Sequence, residues 1–177
     1  MRKNGLLRRD IWNKNDEYHT PKYIITPLIK YLKPNSTIWC PFDNKDSNYV
    51  KVFKENGFNV VFGHKDSGED FFSYTPDCDY IISNPPFSLK MEILERLYSI
   101  GKPFAMLLPL TMLNYQVVGN FFLDKKIQLL IFDKKVSFNG NTSSFNSSYF
   151  CKDILKQDLL FYHLEHNNSN KHFNREN

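Results

Sequence analysis

The chain has few cysteines and none at a metal-binding spacing. Cys40, Cys78 and Cys151 are odd in number and scattered, without a C-x-x-C pair, which argues against a disulfide framework or a zinc site and fits a reduced compartment. Long apolar runs are missing too. No stretch approaches the roughly 18 residues that a membrane span needs, and no signal peptide stands at the start. These absences predict a soluble, cytoplasmic protein that uses neither membrane nor metal. Charge is modest: a formal net of +4 and a pI near 8.8 permit an anionic partner without demanding one. A length of 177 residues suits one domain, roughly 100 to 200 residues being usual.

The basic residues are unevenly placed. Arg2, Lys3, Arg8, Arg9 and Lys14 crowd residues 1–15 beside Trp12 and Tyr18, a composition that suits an arm on a phosphate backbone and equally a solvated leader. Residues 167–177 are almost wholly polar and read as a disordered tail. The folded domain is expected over residues 16–166.

Within it, apolar spacing alternates between the two regular periods. Ile24, Ile25, Leu28, Ile29 and Leu32 recur at helical intervals after Thr20-Pro21, and Lys33-Pro34-Asn35 ends the segment. Strands are expected over 37–40, 58–62, 80–83, 104–108 and 127–132. Helices are expected over 47–56, 89–100 and 112–123, with Gly57 and Gly101 at C-cap positions. Strands apolar on both faces between helices predict an α/β fold, a mostly parallel sheet wrapped by helices. Late strands near 149–151 and 159–164 point to an antiparallel ending. In such a sheet a ligand sits at the carboxyl ends of the strands, where their order reverses, and Phe42-Asp43, His64 to Asp66 and Asn84 all fall at strand ends.

Asn84-Pro85-Pro86-Phe87 closes the apolar run Asp79-Tyr80-Ile81-Ile82-Ser83 and carries the strongest chemical signal. An exocyclic amino nitrogen is a poor nucleophile because its lone pair is delocalised into the ring. If the Asn84 side-chain oxygen accepts one N–H and the Pro85 carbonyl accepts the other, the nitrogen is drawn towards tetrahedral geometry with its lone pair facing a methyl donor. Pro85 and Pro86 hold that carbonyl rigidly. Phe87 supplies a stacking face for a planar base, a contact worth about 1 to 3 kcal/mol. The same four letters also read as a strand stopped by a proline turn.

With these residues the chain resembles the class I S-adenosylmethionine-dependent amino-methyltransferases, in particular the adenine-N6 group and its small phage and prophage members, over residues 16–164. The resemblance implies a Rossmann-like fold, S-adenosylmethionine as cofactor and a nucleic acid, DNA or RNA, as partner, with a protein partner left to supply sequence specificity. It implies that Tyr18, Thr20 and Pro21 hold the methionine end of the cofactor, and that Asn84 borders the same site. Pro41 and Phe42 match the family's first turn, although Cys40-Pro41-Phe42-Asp43-Asn44-Lys45 lacks its glycines. Asp43 or Asn44 is then expected to take the positive φ that glycine adopts freely. His64 stands where the family has an acidic residue for the ribose, with Asp66 displaced. Asp70 and Phe71 match a carboxylate and ring that bind the cofactor's adenine. Pro109 lies where the family lines the substrate cleft, and Phe138 where a second aromatic flanks the base. The Ser/Asn-rich residues 139–148 read as a loop.

Two rivals share the pattern. A protein glutamine-amide methyltransferase uses the same trapping geometry but usually carries tyrosine at the place of Phe87. A methyltransferase-fold protein without turnover, for instance one that blocks a host-defence complex, accounts for the missing glycines.

Overall fold

A computed structural model describes residues 20–63, 70–138, 141–142 and 146–164. The basic arm, Tyr18, His64, Asp66 and the polar tail lie outside the described residues.

Seven strands form one sheet in the order β2-β1-β3-β4-β8-β5-β9. These are β1 (Thr37–Cys40), β2 (Asn59–Phe62), β3 (Tyr80–Ser83), β4 (Phe104–Pro109), β5 (Gln128–Phe132), β8 (Ser147–Lys152) and β9 (Leu159–Tyr162), while β6 (Ser137–Phe138) and β7 (Asn141–Thr142) make a small separate hairpin. The pairs β1–β2, β1–β3, β3–β4 and β5–β9 are parallel, and β8 runs antiparallel between β4 and β5. The expected antiparallel element is therefore β8, and the last strand turns back to lie parallel to β5. The loop expected over residues 139–148 is shorter than that, since β7 and the start of β8 fall within it.

Period-two alternation divides the core into two layers. Ile38, Cys40, Tyr80, Ile82, Ala105, Leu107, Tyr149 and Cys151 point to one face and pack against Ile24, Ile25 and Leu28 and against α2 (Asn48–Glu55). Trp39, Ile81, Phe104, Met106, Leu108 and Phe150 point to the other, under α3 (Lys90–Ile100) and α4 (Gln116–Phe122). Helices on both faces explain why these strands read as continuous apolar runs.

The first helical segment departs from expectation. Only Lys22–Ile25 (α1) is α-helical, and Thr26–Tyr31 tightens into a 3-10 helix. Pro27 lacks the N–H that an α-helical ladder needs there. Thr20 does not cap this helix; Pro21 holds the N-cap position, with no side-chain hydrogen bond. The first half of the expected helix over 112–123 is likewise a 3-10 turn, Leu110–Asn114. Gly57 and Gly101 follow α2 and α3 with φ of 81° and 77°, the left-handed caps expected of them.

One polar contact ties the layers together. The buried phenols of Tyr49 on α2 and Tyr149 on β8 are hydrogen bonded at 2.9 Å. Burial raises both phenol pKa values well above their ordinary value. Tyr49→Phe or Tyr149→Phe is expected to cost about 1 to 3 kcal/mol in urea unfolding, because each leaves a buried hydroxyl without its partner. The double variant should cost less than the sum of the two, the signature of a direct pair.

Candidate active site

The sheet order reverses at β1: from there the chain moves out to β2 and then returns across to β3 on the opposite side. Between the carboxyl ends of β1 and β3 lies the crevice that an open α/β sheet offers to ligands. The structure brings Pro41, Phe42 and Asp43, which follow β1, to this crevice together with Ser83 and Asn84 at the end of β3.

The turn after β1 is built without glycine and without positive φ. Neither Asp43 nor Asn44 adopts the left-handed region, contrary to the expectation for this loop. Two hydrogen-bonded turns replace it: the Asp43 N–H donates to the Cys40 carbonyl at 3.3 Å and the Ser47 N–H to the Asn44 carbonyl at 3.1 Å. The Asn44 side chain stiffens the second turn by accepting from the Asp46 N–H at 2.9 Å. Ser47 then caps α2, accepting from the Val50 N–H at 3.3 Å.

Asp43 is the electrostatic centre of this turn. Its carboxyl group is buried, accepts a short hydrogen bond from the Ser83 hydroxyl, and interacts with Ser47. Ser83 in turn accepts from the Phe42 N–H at 3.3 Å. Burial pushes the Asp43 pKa up to about 7, against the lowering effect of the two hydroxyls. A carboxyl group held near neutrality at a strand-end crevice is available in either protonation state.

Among the described residues Asn84 Oδ1, Ser147 Oγ and Ser148 Oγ are buried without a hydrogen-bond partner, as is Arg96 Nε on α3, while the buried hydroxyl of Thr20 interacts with Tyr49. Asn84 follows β3, Ser147 and Ser148 lie beside the end of β4 with their side chains on opposite faces of the sheet, and Thr20 lies near the turn after β1. Thr20 is placed there by its carbonyl, which accepts from Asn48 Nδ2 at 2.9 Å at the start of α2. Ser147 and Ser148 pair with Pro109 and Leu108 of β4. Buried polar atoms are normally satisfied, so the unpartnered Asn84 oxygen at the end of β3 stands out.

Asn84 continues β3, and the two prolines after it are buried. The Pro86 carbonyl is taken by the Leu89 N–H at 3.2 Å, which closes a 3-10 turn over Phe87–Leu89 before α3 begins. Phe87 is half-buried against the layer under α3. Pro109, at the end of β4, is also half-buried and lies at the same sheet edge.

Other expected residues have different surroundings. Phe71 is buried, with ring centroids 5.5 Å from Trp39 and 5.0 Å from half-buried Phe42. Asp70 is exposed, and its carboxylate accepts from the Phe72 N–H at 3.1 Å, so it starts the turn that carries Phe71. Phe138 does not present a ring to a base: it is only 3% exposed and belongs to the core layer with Val136 and Leu130. Its position in β6, packed beneath the sheet, puts the ring inward. Sequence reasoning missed Ser83 and Ser147. A serine ending the otherwise apolar strand 80–83 was the available signal for the first, because a buried hydroxyl there needs a partner.

No family model matches the chain. It is similar to a known methyltransferase. Over 95 residues it is 30% identical to the Type II methyltransferase M.EcoRI of Escherichia coli, a match covering 48% of this chain and 29% of that protein. A modification subunit assigned to a type I restriction enzyme from Vibrio vulnificus YJ016 shares the fold, with a TM-score of 0.54 at 13% identity over 94% of this chain and 51% of that one. The chain is thus similar over about half its length to a type II methyltransferase and shares the fold of a modification subunit. It spans less than a third of the first protein and about half of the second.

Proposed function

We propose that this chain is an S-adenosylmethionine-dependent methyltransferase that acts on adenine N6 in nucleic acid. The observation that carries the reading is the Asn84 side-chain oxygen, buried without a donor at the carboxyl end of β3 beside the reversal of strand order. Similarity to a type II methyltransferase supports the reaction class.

The donor set fits the cofactor. Thr20 offers a buried hydroxyl beside Tyr49 for a polar end, Asp43 a carboxyl that becomes anionic beside a cation, and Phe42 a half-buried aromatic face. S-adenosylmethionine, when bound, supplies an electrophilic methyl group. The chain's own residues prepare the acceptor. Asn84 Oδ1 accepts one amino N–H and the Pro85 carbonyl the other, which turns the nitrogen lone pair out of the ring plane, while Phe87 fixes that plane by stacking. The amino proton leaves after the nitrogen has formed its new bond, so no general base of matched pKa is needed.

Calorimetric titration of the chain with S-adenosylhomocysteine is expected to give saturable heat with a dissociation constant below the millimolar range. Tritiated methyl transfer onto separate DNA, RNA and protein pools from an unmodified host then identifies the substrate class. Label in protein alone would support the glutamine-amide reading. Absence of heat at millimolar ligand would favour a binding protein that has lost turnover, the reading to which the glycine-free turn and the Asp43–Ser83 tie lend weight.

A further inference from the structure

The motif has a neighbour that the proposed reaction does not use. The α3 helix begins at Lys90, whose Nζ lies 3.4 Å from the Phe87 carbonyl oxygen and 5.9 Å from the centroid of the Tyr115 ring. Tyr115 stands between the 3-10 turn after β4 and the start of α4, and it is 55% exposed. Its backbone is firmly held: the N–H donates to the Met112 carbonyl at 3.1 Å, and the carbonyl accepts from Val118 at 3.0 Å and Gly119 at 2.9 Å. Met112 and Val118 on either side are buried. An anchored backbone with an outward ring is poorly explained by core packing. Lys90 Nζ donates to the Phe87 carbonyl and faces the Tyr115 ring, and among the described residues no carboxylate pairs with it.

We propose that Lys90 and Tyr115 form a rim that holds the nucleic-acid strand beside the target base, with Tyr115 stacking on a flanking nucleotide and Lys90 meeting its phosphate. The inference rests on the reading of Asn84 to Phe87 as the place where the target base enters. A strand leading into that place runs over the residues next to Phe87, and these residues present what such a strand requires, a cation for the backbone and an exposed π-face for a base. A peptide substrate requires neither. The chain's net charge of +4 agrees with a polyanionic partner.

Binding can be read without any turnover. Fluorescence anisotropy of the full chain with a labelled single-stranded oligodeoxynucleotide containing adenine is expected to show binding that Tyr115→Ala weakens about tenfold and Tyr115→Phe preserves. Lys90→Gln should weaken binding and lower the slope of log affinity against log salt by about 0.7, the contribution of one phosphate contact on a single strand. The rim is overturned if the wild-type chain does not bind the oligonucleotide, if Tyr115→Ala binds as the wild type does, or if polyglutamate competes as well as the oligonucleotide. If both variants weaken binding while no methyl transfer occurs, the rim stands and the catalytic reading of Asn84 falls.

Discussion

On the proposed mechanism, Asn84→Ala is expected to lower the rate of methyl transfer by about 10² to 10³-fold, the usual cost of removing one preorganised polar group from a reacting centre, while its melting temperature holds or rises. The two effects part company because of where the oxygen sits. Asn84 Oδ1 is buried and has no donor among the described residues, an arrangement that costs about 1 to 3 kcal/mol of folding stability. A purely structural asparagine would instead be hydrogen bonded, and its loss would destabilise the fold. Transfer assays and thermal unfolding on the same preparation decide the matter. Full activity in the variant would remove Asn84 from the mechanism, and a large drop in melting temperature would make it a structural residue.

Raising the pH from 4 to 8 is expected to cost the wild-type chain about 4 kcal/mol of stability through Asp43, and Asp43→Asn is expected to remove that slope. The direction follows from proton binding. In the unfolded chain this carboxyl group titrates at its ordinary value of 3.8, whereas burial in the folded chain holds it at about 7. Between these values the native state keeps a proton that the unfolded chain has released, so stability falls as pH rises and levels off above about 7. Below pH 4 both states are protonated and the contribution vanishes. Each unit of difference corresponds to about 1.4 kcal/mol. Asparagine keeps the shape and can still accept from Ser83, so the variant should exceed the wild type in urea unfolding at pH 8 and match it near pH 4. Parallel pH profiles for the two proteins would show that Asp43 is already ionised in the native state.

Much of the architecture was legible because burial on both faces leaves a plain mark. The runs at Thr37–Cys40, Tyr80–Ser83 and Gln128–Phe132 are apolar enough to be strands between helices, and Gly57 and Gly101 end helices where only a left-handed residue fits. Pro27 was a visible warning that the first helix would not continue regularly. The placement of β8 was not legible, since strand pairing between residues some forty positions apart depends on the whole sheet rather than on local pattern. At the site, the motif Asn84 to Phe87 announced itself, and the convergence of the turns after β1 and β3 followed from the rule for open sheets. The hydrogen bond from Ser83 to Asp43 could not be read in advance. It joins residues forty apart, and it exists because a turn without glycine brings the carboxyl group under the end of the neighbouring strand. Phe138 misled for the opposite reason: its position suggested a base-stacking ring, but only the packing of β6 shows that it points inward.

The insertion of β8 between β4 and β5 also bears on how the chain assembles. β5 touches the rest of the sheet solely through β8, and β9 solely through β5. The quartet β2-β1-β3-β4 is complete in sequence by residue 109, whereas the strand that pairs with β5 on its inner side, β8, comes after it at residues 147–152. Residues 147–152 thus both join β5 and β9 to the quartet β2-β1-β3-β4 and set Ser147 opposite Pro109 at the end of β4.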